Sequence, residues 1–352
     1  MRLKNHQSLK HIWSLISIGM MVGLISSCGK TPSISAQAQT KPKVAVSHNV
    51  ICDMIDTIAE DTIDTTCLLD HNQDPHTFRP TPSDRQAIAA AQLVLYGGYN
   101  LESQLIDLIE AKTDQEASQT KIALFEKAIA EPIMASHEHG HEEHGHEEHG
   151  HEEHGHEEHG HEEHEAELEL TADPHVWHSV ENTVAMVEQL KSLLTQLNPQ
   201  SAELYLNNSS AYTEQLWQLD AWIKEMIETI PQGQRVLVTT HSSLNYFVQA
   251  YNLEGYQTLQ GISSDDSPSA AQVRNLVAKI KQANVPTIFA ESTKSDRVIN
   301  NVAREAEVKL ADSKLYADGL GDGADYPEMM SHNTCTIVNG LGGTCQPFIA
   351  EN

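Results

Sequence analysis

The tripeptide Asp-Pro-His occurs twice, as Asp74-Pro75-His76 and Asp173-Pro174-His175. Proline restrains the backbone beside the imidazole, and the neighbouring Asp can hold one ring N–H so that the other nitrogen offers its lone pair in a fixed direction. A stiffened histidine used twice is the pattern of paired metal ligands. His241 directly follows a β-rich run, Arg235–Thr240, at the carboxyl end where open α/β sheets present ligand-binding groups. Asp318 sits in Leu315-Tyr316-Ala317-Asp318-Gly319, again after a strand-like run. Taken singly, each of these two has the ordinary role of a cap or surface residue. Brought together from separate parts of the chain, the three imidazoles and the carboxylate would make a closed tetrahedral site suited to zinc. His178, a near neighbour of His175, is the competing choice for the same position; the histidine of the Asp-Pro-His motif is preferred.

A second concentration of ligand chemistry lies at residues 137–165, which hold 12 Glu and 12 of the 21 His without one Lys or Arg. The unit His-Gly-His-Glu-Glu repeats five times from His139 to Glu163. Near pH 7 such imidazoles form many weak, exchangeable sites for zinc, copper or nickel, and these should fail below an imidazole pKa of about 6.5. The segment has no apolar residues with which to bury a core, so it reads as a disordered loop that captures or buffers metal; the plain alternative is a solvated acidic spacer. His137-Glu138-His139-Gly140-His141 fits the letters H-E-x-x-H, but glycine and low complexity argue against the helix that a zinc hydrolase needs. A three-histidine hydrolase with an open water position is a rival, and a metal buffer or adhesin without transport is another. No G-x-S-x-G elbow, P-loop or dinucleotide fingerprint supports other catalysis, and the reading is that this is not an enzyme.

These groups need elements to carry them. The chain has 352 residues, more than one hydrophobic core usually spans, so two lobes with a cleft between them are expected. A formal charge of −28 argues against a nucleic-acid partner. The 39% hydrophobic content is diluted by the polar tract and remains adequate for a core. Strand-like runs at Lys43–Ser47, Thr65–Leu69, Leu93–Tyr96 and Lys121–Leu124 alternate with amphipathic stretches such as Ile51–Ala59 and Ser83–Ala91. A second series has strands at Arg235–Thr240, Tyr256–Leu259, Thr287–Ala290 and Val308–Ala311, with helical patterns at Tyr246–Tyr251, Ala270–Ala283 and Asp296–Glu305. The fold expected is α/β, each lobe a parallel sheet flanked by helices. Between the series, Leu204, Tyr212, Leu216, Leu219, Ile223 and Ile227 fall near one face of a helical pattern bracketed by Pro199 and Pro231. One rigid connecting helix is expected there, with two helices and a turn as the alternative. The resulting division is a lobe at 43–198 containing the loop 137–165, a helix at 199–230 and a lobe at 231–352.

The first 28 residues read as an export signal: Arg2, Lys4 and Lys10, an apolar run from Ile12 to Ile25, then Ser26-Ser27-Cys28. Ile25-Ser26-Ser27-Cys28 resembles a bacterial lipobox, which implies a lipid on Cys28 and attachment to a membrane; cleavage after Ala36-Gln37-Ala38 is the alternative. A polar linker follows at 29–42. Either route places the protein in the periplasm or another extracytoplasmic space. The other four cysteines, Cys52, Cys67, Cys335 and Cys345, are an even number in an oxidising compartment. They permit three connectivities, of which the local one, Cys52 with Cys67 and Cys335 with Cys345, is expected.

Jointly, these motifs resemble the metal-specific solute-binding proteins of bacterial ABC importers. The residues that carry the resemblance are His71 to Asp84, Asp173-Pro174-His175-Val176-Trp177, and Thr240-His241 followed by Tyr246-Phe247. Tyr99-Asn100-Leu101-Glu102, Phe289-Ala290-Glu291-Ser292 and Leu315-Tyr316-Ala317-Asp318 match too, in order, over nearly all of residues 43–345. The resemblance implies two α/β lobes joined by a long rigid helix, a metal in the cleft, and delivery to a membrane permease with its ATPase. It implies His76, His175, His241 and Asp318 as ligands, with water or another carboxylate as alternatives in the fourth place, and Asp74 and Asp173 as groups that orient imidazoles. In this family the third ligand is often Glu in manganese receptors and His in zinc receptors. His241 and the Glu/His insertion therefore point to Zn2+. Leu315 to Gly319 and Met329 to Leu341 look more like the manganese branch, which keeps Mn2+ as the alternative. The expectation is a monomeric, lipid-anchored zinc receptor.

Overall fold

The computed structural model describes residues 40–111, 119–136, 170–263, 267–322 and 324–351. The expected export segment with Cys28, the linker up to residue 39 and the tract at 137–165 lie outside the described residues.

The first lobe is built on β1 (Lys43–Val46), β2 (Asp64–Cys67), β3 (Leu93–Tyr96) and β4 (Thr120–Ala123), all parallel and ordered β2-β1-β3-β4. Central strands β1 and β3 carry Val44, Ala45, Val46, Leu93, Val94 and Leu95, all buried, as a strand covered on both faces requires. The helices α1 (Asn49–Ala59), α2 (Pro82–Ala90), α3 (Ser103–Glu110) and α4 (Leu124–Ala128) alternate with the strands. A capping box starts α2: Thr81 accepts from the Asp84 N–H, Asp84 accepts from the Thr81 N–H, and Pro82 takes the first helical position. Leu124, expected to end a strand, instead opens α4, because the Phe125 N–H turns back to the Gly97 carbonyl.

Two further strands, β5 (Met134–Ser136) and β6 (Leu170–Ala172), form an antiparallel pair that flanks the Glu/His tract in sequence. Next come α5 (Val180–Leu197), for which the sequence reading assigns no element, and α6 (Ala202–Glu228). A three-residue 3-10 turn at Pro199–Ser201 precedes α6, which then runs for 27 residues without a break. The helix–turn–helix alternative is thereby excluded. At 1.5 Å per residue α6 extends about 40 Å. Its buried face packs against α1, α5 and α10; Asn208 donates to the Ile58 carbonyl, while Met226 and Thr229 meet the segment after α10 at Gln346 and Thr344.

The second lobe follows as β7 (Val236–Thr239), α7 (Asn245–Ala250), β8 (Gly255–Thr258), α8 (Ala270–Ala283), β9 (Thr287–Ile288), α9 (Asp296–Ala306), β10 (Lys309–Leu310) and α10 (Tyr326–Gly340). The single sheet expected here is a pair of two-stranded parallel ladders, β7 with β8 and β9 with β10. A backbone hydrogen bond from Phe289 to Val238 lies between them, so the spatial order repeats that of the first lobe. The β9–β10 ladder is short because the chain leaves regular pairing after Ile288 and rejoins it at an isolated bridge, Glu291 with Leu315. Disulfides join Cys52 to Cys67, tying α1 to β2, and Cys335 to Cys345, tying α10 to the terminal segment. Among the described residues no helix is long and apolar enough to cross a membrane.

Candidate metal centre

In both lobes the residues of interest sit where parallel strands end. His48 follows β1, the loop carrying Asp74 and His76 follows β2, His241 follows β7, Glu291 to Lys294 follow β9, and Asp318 follows β10. The carboxyl ends of the strands converge on one cleft, the arrangement by which α/β folds build ligand sites. His175 enters from the segment between β6 and α5, just before a 3-10 turn, Val176–His178.

The structure brings His76, His175, His241 and Asp318 together: one ligand atom from each lies within 4.8 Å of all the others. His76 Nε2 and His175 Nε2 are 3.3 Å apart. Asp318 Oδ1 lies 3.1 Å from His241 Nε2, 3.5 Å from His175 Nε2 and 3.6 Å from His76 Nε2. His76 is 6% exposed and the others at most 1%, so only His76 touches the outside. It borders a cavity of about 120 Å³ at the cleft mouth, lined also by Tyr99, Ala172, Pro174 and Ile262.

Ring orientation is fixed from behind. Asp173 Oδ1 accepts from His175 Nδ1 at 2.8 Å and from the His175 backbone N–H at 3.0 Å. Asn245 holds the other Asp173 oxygen, and the Tyr246 hydroxyl donates to its carbonyl. For His241 the partner is Glu291: Oε2 accepts from Nδ1, and Oε1 accepts from the backbone N–H groups of Thr240 and His241. Both rings therefore direct an Nε2 lone pair into the cluster. Asp74 differs from the expected role, since its Oδ1 accepts from the His76 backbone N–H and its Oδ2 accepts from Lys294. It shapes the loop that carries His76.

His178 stays out of the cluster. Its Nε2 donates to the Ala317 carbonyl at 2.8 Å, and His48 Nε2 donates to the Asp318 carbonyl at 3.1 Å. Burial pushes these two imidazoles down to about 3 and about 4, so both are neutral donors that clamp the Asp318 segment. Gly319 completes the clamp: a Cβ there would meet the Asn49 side chain at 2.7 Å, and Asn49 Oδ1 accepts from the Leu320 N–H.

Burial alone would drive the cluster imidazoles toward neutrality, and His76 does move down. At His241, burial is overcome by the Glu291 carboxylate and by Asp318, which raise it to about 10. His175 also rises, burial being outweighed by Asp173 and Asp318. Burial would raise Asp318, but His241, Lys294 and His175 hold it well below the usual carboxylate range. His241 Nε2 and Asp318 Oδ1 are nevertheless buried without a conventional hydrogen-bond partner. An imidazole lone pair facing a carboxylate oxygen needs a positive charge between them, whether a proton or a metal ion.

Sequence reasoning found the four converging residues and Asp173. It quoted Glu291 within a motif without giving it a task, and it missed His48, Thr293 and Lys294. The signal for Glu291 was its place immediately after a strand on the same sheet edge as His241.

A family profile described as zinc-uptake complex component A, periplasmic (ZnuA), matches residues 44–340. Among curated relatives, the manganese-binding lipoprotein MntA of Halalkalibacterium halodurans is 27% identical over 329 residues, covering 92% of this chain and 96% of that one. The manganese ABC transporter substrate-binding lipoprotein scaA of Streptococcus gordonii is 26% identical, covering 91% and 95%. Among solved structures, the periplasmic zinc binding protein TroA from Treponema pallidum superposes with a TM-score of 0.71 at 26% identity, over 86% of this chain and 99% of that one.

Proposed function

Because this chain belongs to the family of the periplasmic A component of zinc-uptake complexes, the metal-binding receptors of ABC importers, we propose that the ion it carries is zinc. The observation that supports this most is the donor set, three imidazole Nε2 atoms and one carboxylate oxygen around a single point. Zinc takes four such donors at about 2.0–2.1 Å, which places neighbouring donors about 3.3–3.4 Å apart in a tetrahedron. Four of the six separations, 3.1–3.6 Å, bracket that value, and the two between His241 and the other imidazoles lie within 4.8 Å. Nitrogen-rich coordination also suits zinc better than manganese, which favours carboxylate, carbonyl and water oxygens.

His76, His175, His241 and Asp318 are the ligands in this reading. Asp173 and Glu291 hold the imidazoles in the tautomer that binds, and the ion is passed to a membrane permease driven by its ATPase. Cys28 anchors a monomeric receptor outside the cytoplasm, and the tract at 137–165 supplies weak, exchangeable sites for extra metal. We assign the lobes to 43–198 and 231–352, with the connecting helix at 199–230. Manganese is the second reading, favoured by the names of the relatives from Halalkalibacterium halodurans and Streptococcus gordonii.

The deciding experiment is metal content together with competitive zinc/manganese titration of protein lacking residues 1–28, with and without residues 137–165. One tight zinc site that survives removal of the tract and outcompetes manganese is the expected result. Preference for manganese would transfer the assignment to the second reading, and loss of all tight binding with the tract would leave a metal buffer.

A further inference from the structure

Asp318 has two oxygens, and only one faces the imidazoles. Oδ2 lies 2.9 Å from Lys294 Nζ and also accepts from the Thr293 hydroxyl. Lys294 is itself buried, with 8% of its side chain exposed, and Nζ reaches Asp74 Oδ2 as well. Asp74 in turn accepts from the His76 backbone N–H. One ammonium thus ties the carboxylate of the second lobe to the loop that carries an imidazole from the first. It cannot drift far, because its backbone N–H donates to the Glu291 carbonyl and Ser295 caps α9 immediately afterwards.

We propose that Lys294 is the specificity-determining residue of this site: by occupying Asp318 Oδ2 it leaves the carboxylate one oxygen for the ion and holds the protein donors at four. The inference rests on the reading of His76, His175, His241 and Asp318 as ligands. Its physical content is a count and a charge. A carboxylate free to bind through both oxygens offers five donors and an undivided negative charge, which serves an ion that prefers oxygen and a larger shell. With Oδ2 taken by an ammonium and a hydroxyl, that ion loses a donor and part of the charge, while a tetrahedral ion loses nothing it uses. Lys294 is a positioning residue, since it acts on the metal through Asp318.

The test compares protein lacking residues 1–28 and 137–165 with its Lys294→Met, Lys294→Gln and Lys294→Arg variants, loaded with zinc, manganese or cobalt(II). Cobalt(II) absorbs visible light more strongly in a four-donor field than in a larger one, so its spectrum reports donor number independently of affinity. In Lys294→Met and Lys294→Gln the cobalt bands should weaken, and the zinc-to-manganese affinity ratio should fall about tenfold or more, as losses of outer partners do. Lys294→Arg, which keeps a cation at Oδ2, should restore both. An unchanged cobalt spectrum and ratio in whichever of Lys294→Met and Lys294→Gln folds would overturn the proposal, as would equal weakening of both metals. If the starting protein already prefers manganese, the zinc reading fails by itself, and the spectral comparison still decides the role of Lys294.

Discussion

The first lobe and the second each give two residues to the cluster, but His76 is held differently from the second-lobe pair. His76 and His175 sit on proline-stiffened loops; His175 lies against Trp177 and is raised by Asp173 and Asp318, whereas His76 is pushed toward neutrality. His241 and Asp318 are set in a lattice of charge: Glu291 behind the ring, Lys294 and Thr293 behind the carboxylate, and His48 and His178 gripping the backbone. The second-lobe pair is wholly buried, whereas His76 keeps a small exposed edge at the cleft mouth. His175, His241 and Asp318 are electrostatically committed before an ion arrives; His76 is a neutral ring beside the entrance. Sub-ångström placement of a metal needs the first, and exchange with the outside needs the second.

The largest test of this contrast is removal of a ligand from each side of it. His241→Ala strips an imidazole and also strands the buried Glu291 carboxylate, so zinc affinity measured by chelator competition should fall by more than about a hundredfold, beyond the range for losing an outer partner. His76→Ala leaves no buried charge without its partner and should cost less; equal losses would break the comparison. Next in size are the orienting carboxylates. Glu291→Gln and Asp173→Asn should each weaken zinc by about 10–100-fold, with Glu291→Gln the worse because two backbone N–H groups depend on the same side chain.

A smaller effect is expected from protons. His241, raised to about 10, carries a proton at pH 7 in the metal-free protein, and the ion must displace it. Zinc affinity should therefore fall as pH drops, by about tenfold per pH unit for each proton displaced. Calorimetry in two buffers of different ionisation enthalpy should find at least one proton released; none released would remove the contrast. Smallest on the site is the frame. Replacing Cys52 and Cys67 by Ser opens a loop of 15 residues and should lower unfolding free energy by about 3 kcal/mol, with zinc affinity unchanged.

Much of this organisation is legible in the chain because it is local. Leu93–Tyr96 and Ala270–Ala283 are found where the sequence places them, since apolar runs and the Ser269 capping box mark their own ends. Proline next to histidine marks the two first-lobe histidines of the cluster within the sequence itself. What stayed hidden depends on distant partners. α5 is the exception, since Val180, Thr183, Val187, Leu190 and Leu194 recur at helical spacing, a local signal that the sequence reading left unassigned. Lys294 and Thr293 look like ordinary polar turn residues, and only the return of β10 toward β9 brings Asp318 against them. The Lys294 partner of Asp74 is hidden for the same reason, since it lies 220 positions away.

The long helix α6 sets a rule about change by length. Its outward positions, such as Leu206 and Trp217, are about half exposed and free to vary in composition. Its residue count is not free, because each added residue advances the helix by 1.5 Å and turns everything beyond it by about 100°. With α1, α5 and α10 all packed against it, a single insertion would throw the buried face beyond it out of phase with those helices. The register between α6 and the helices packed on it is thus written in a number of residues as much as in their kinds.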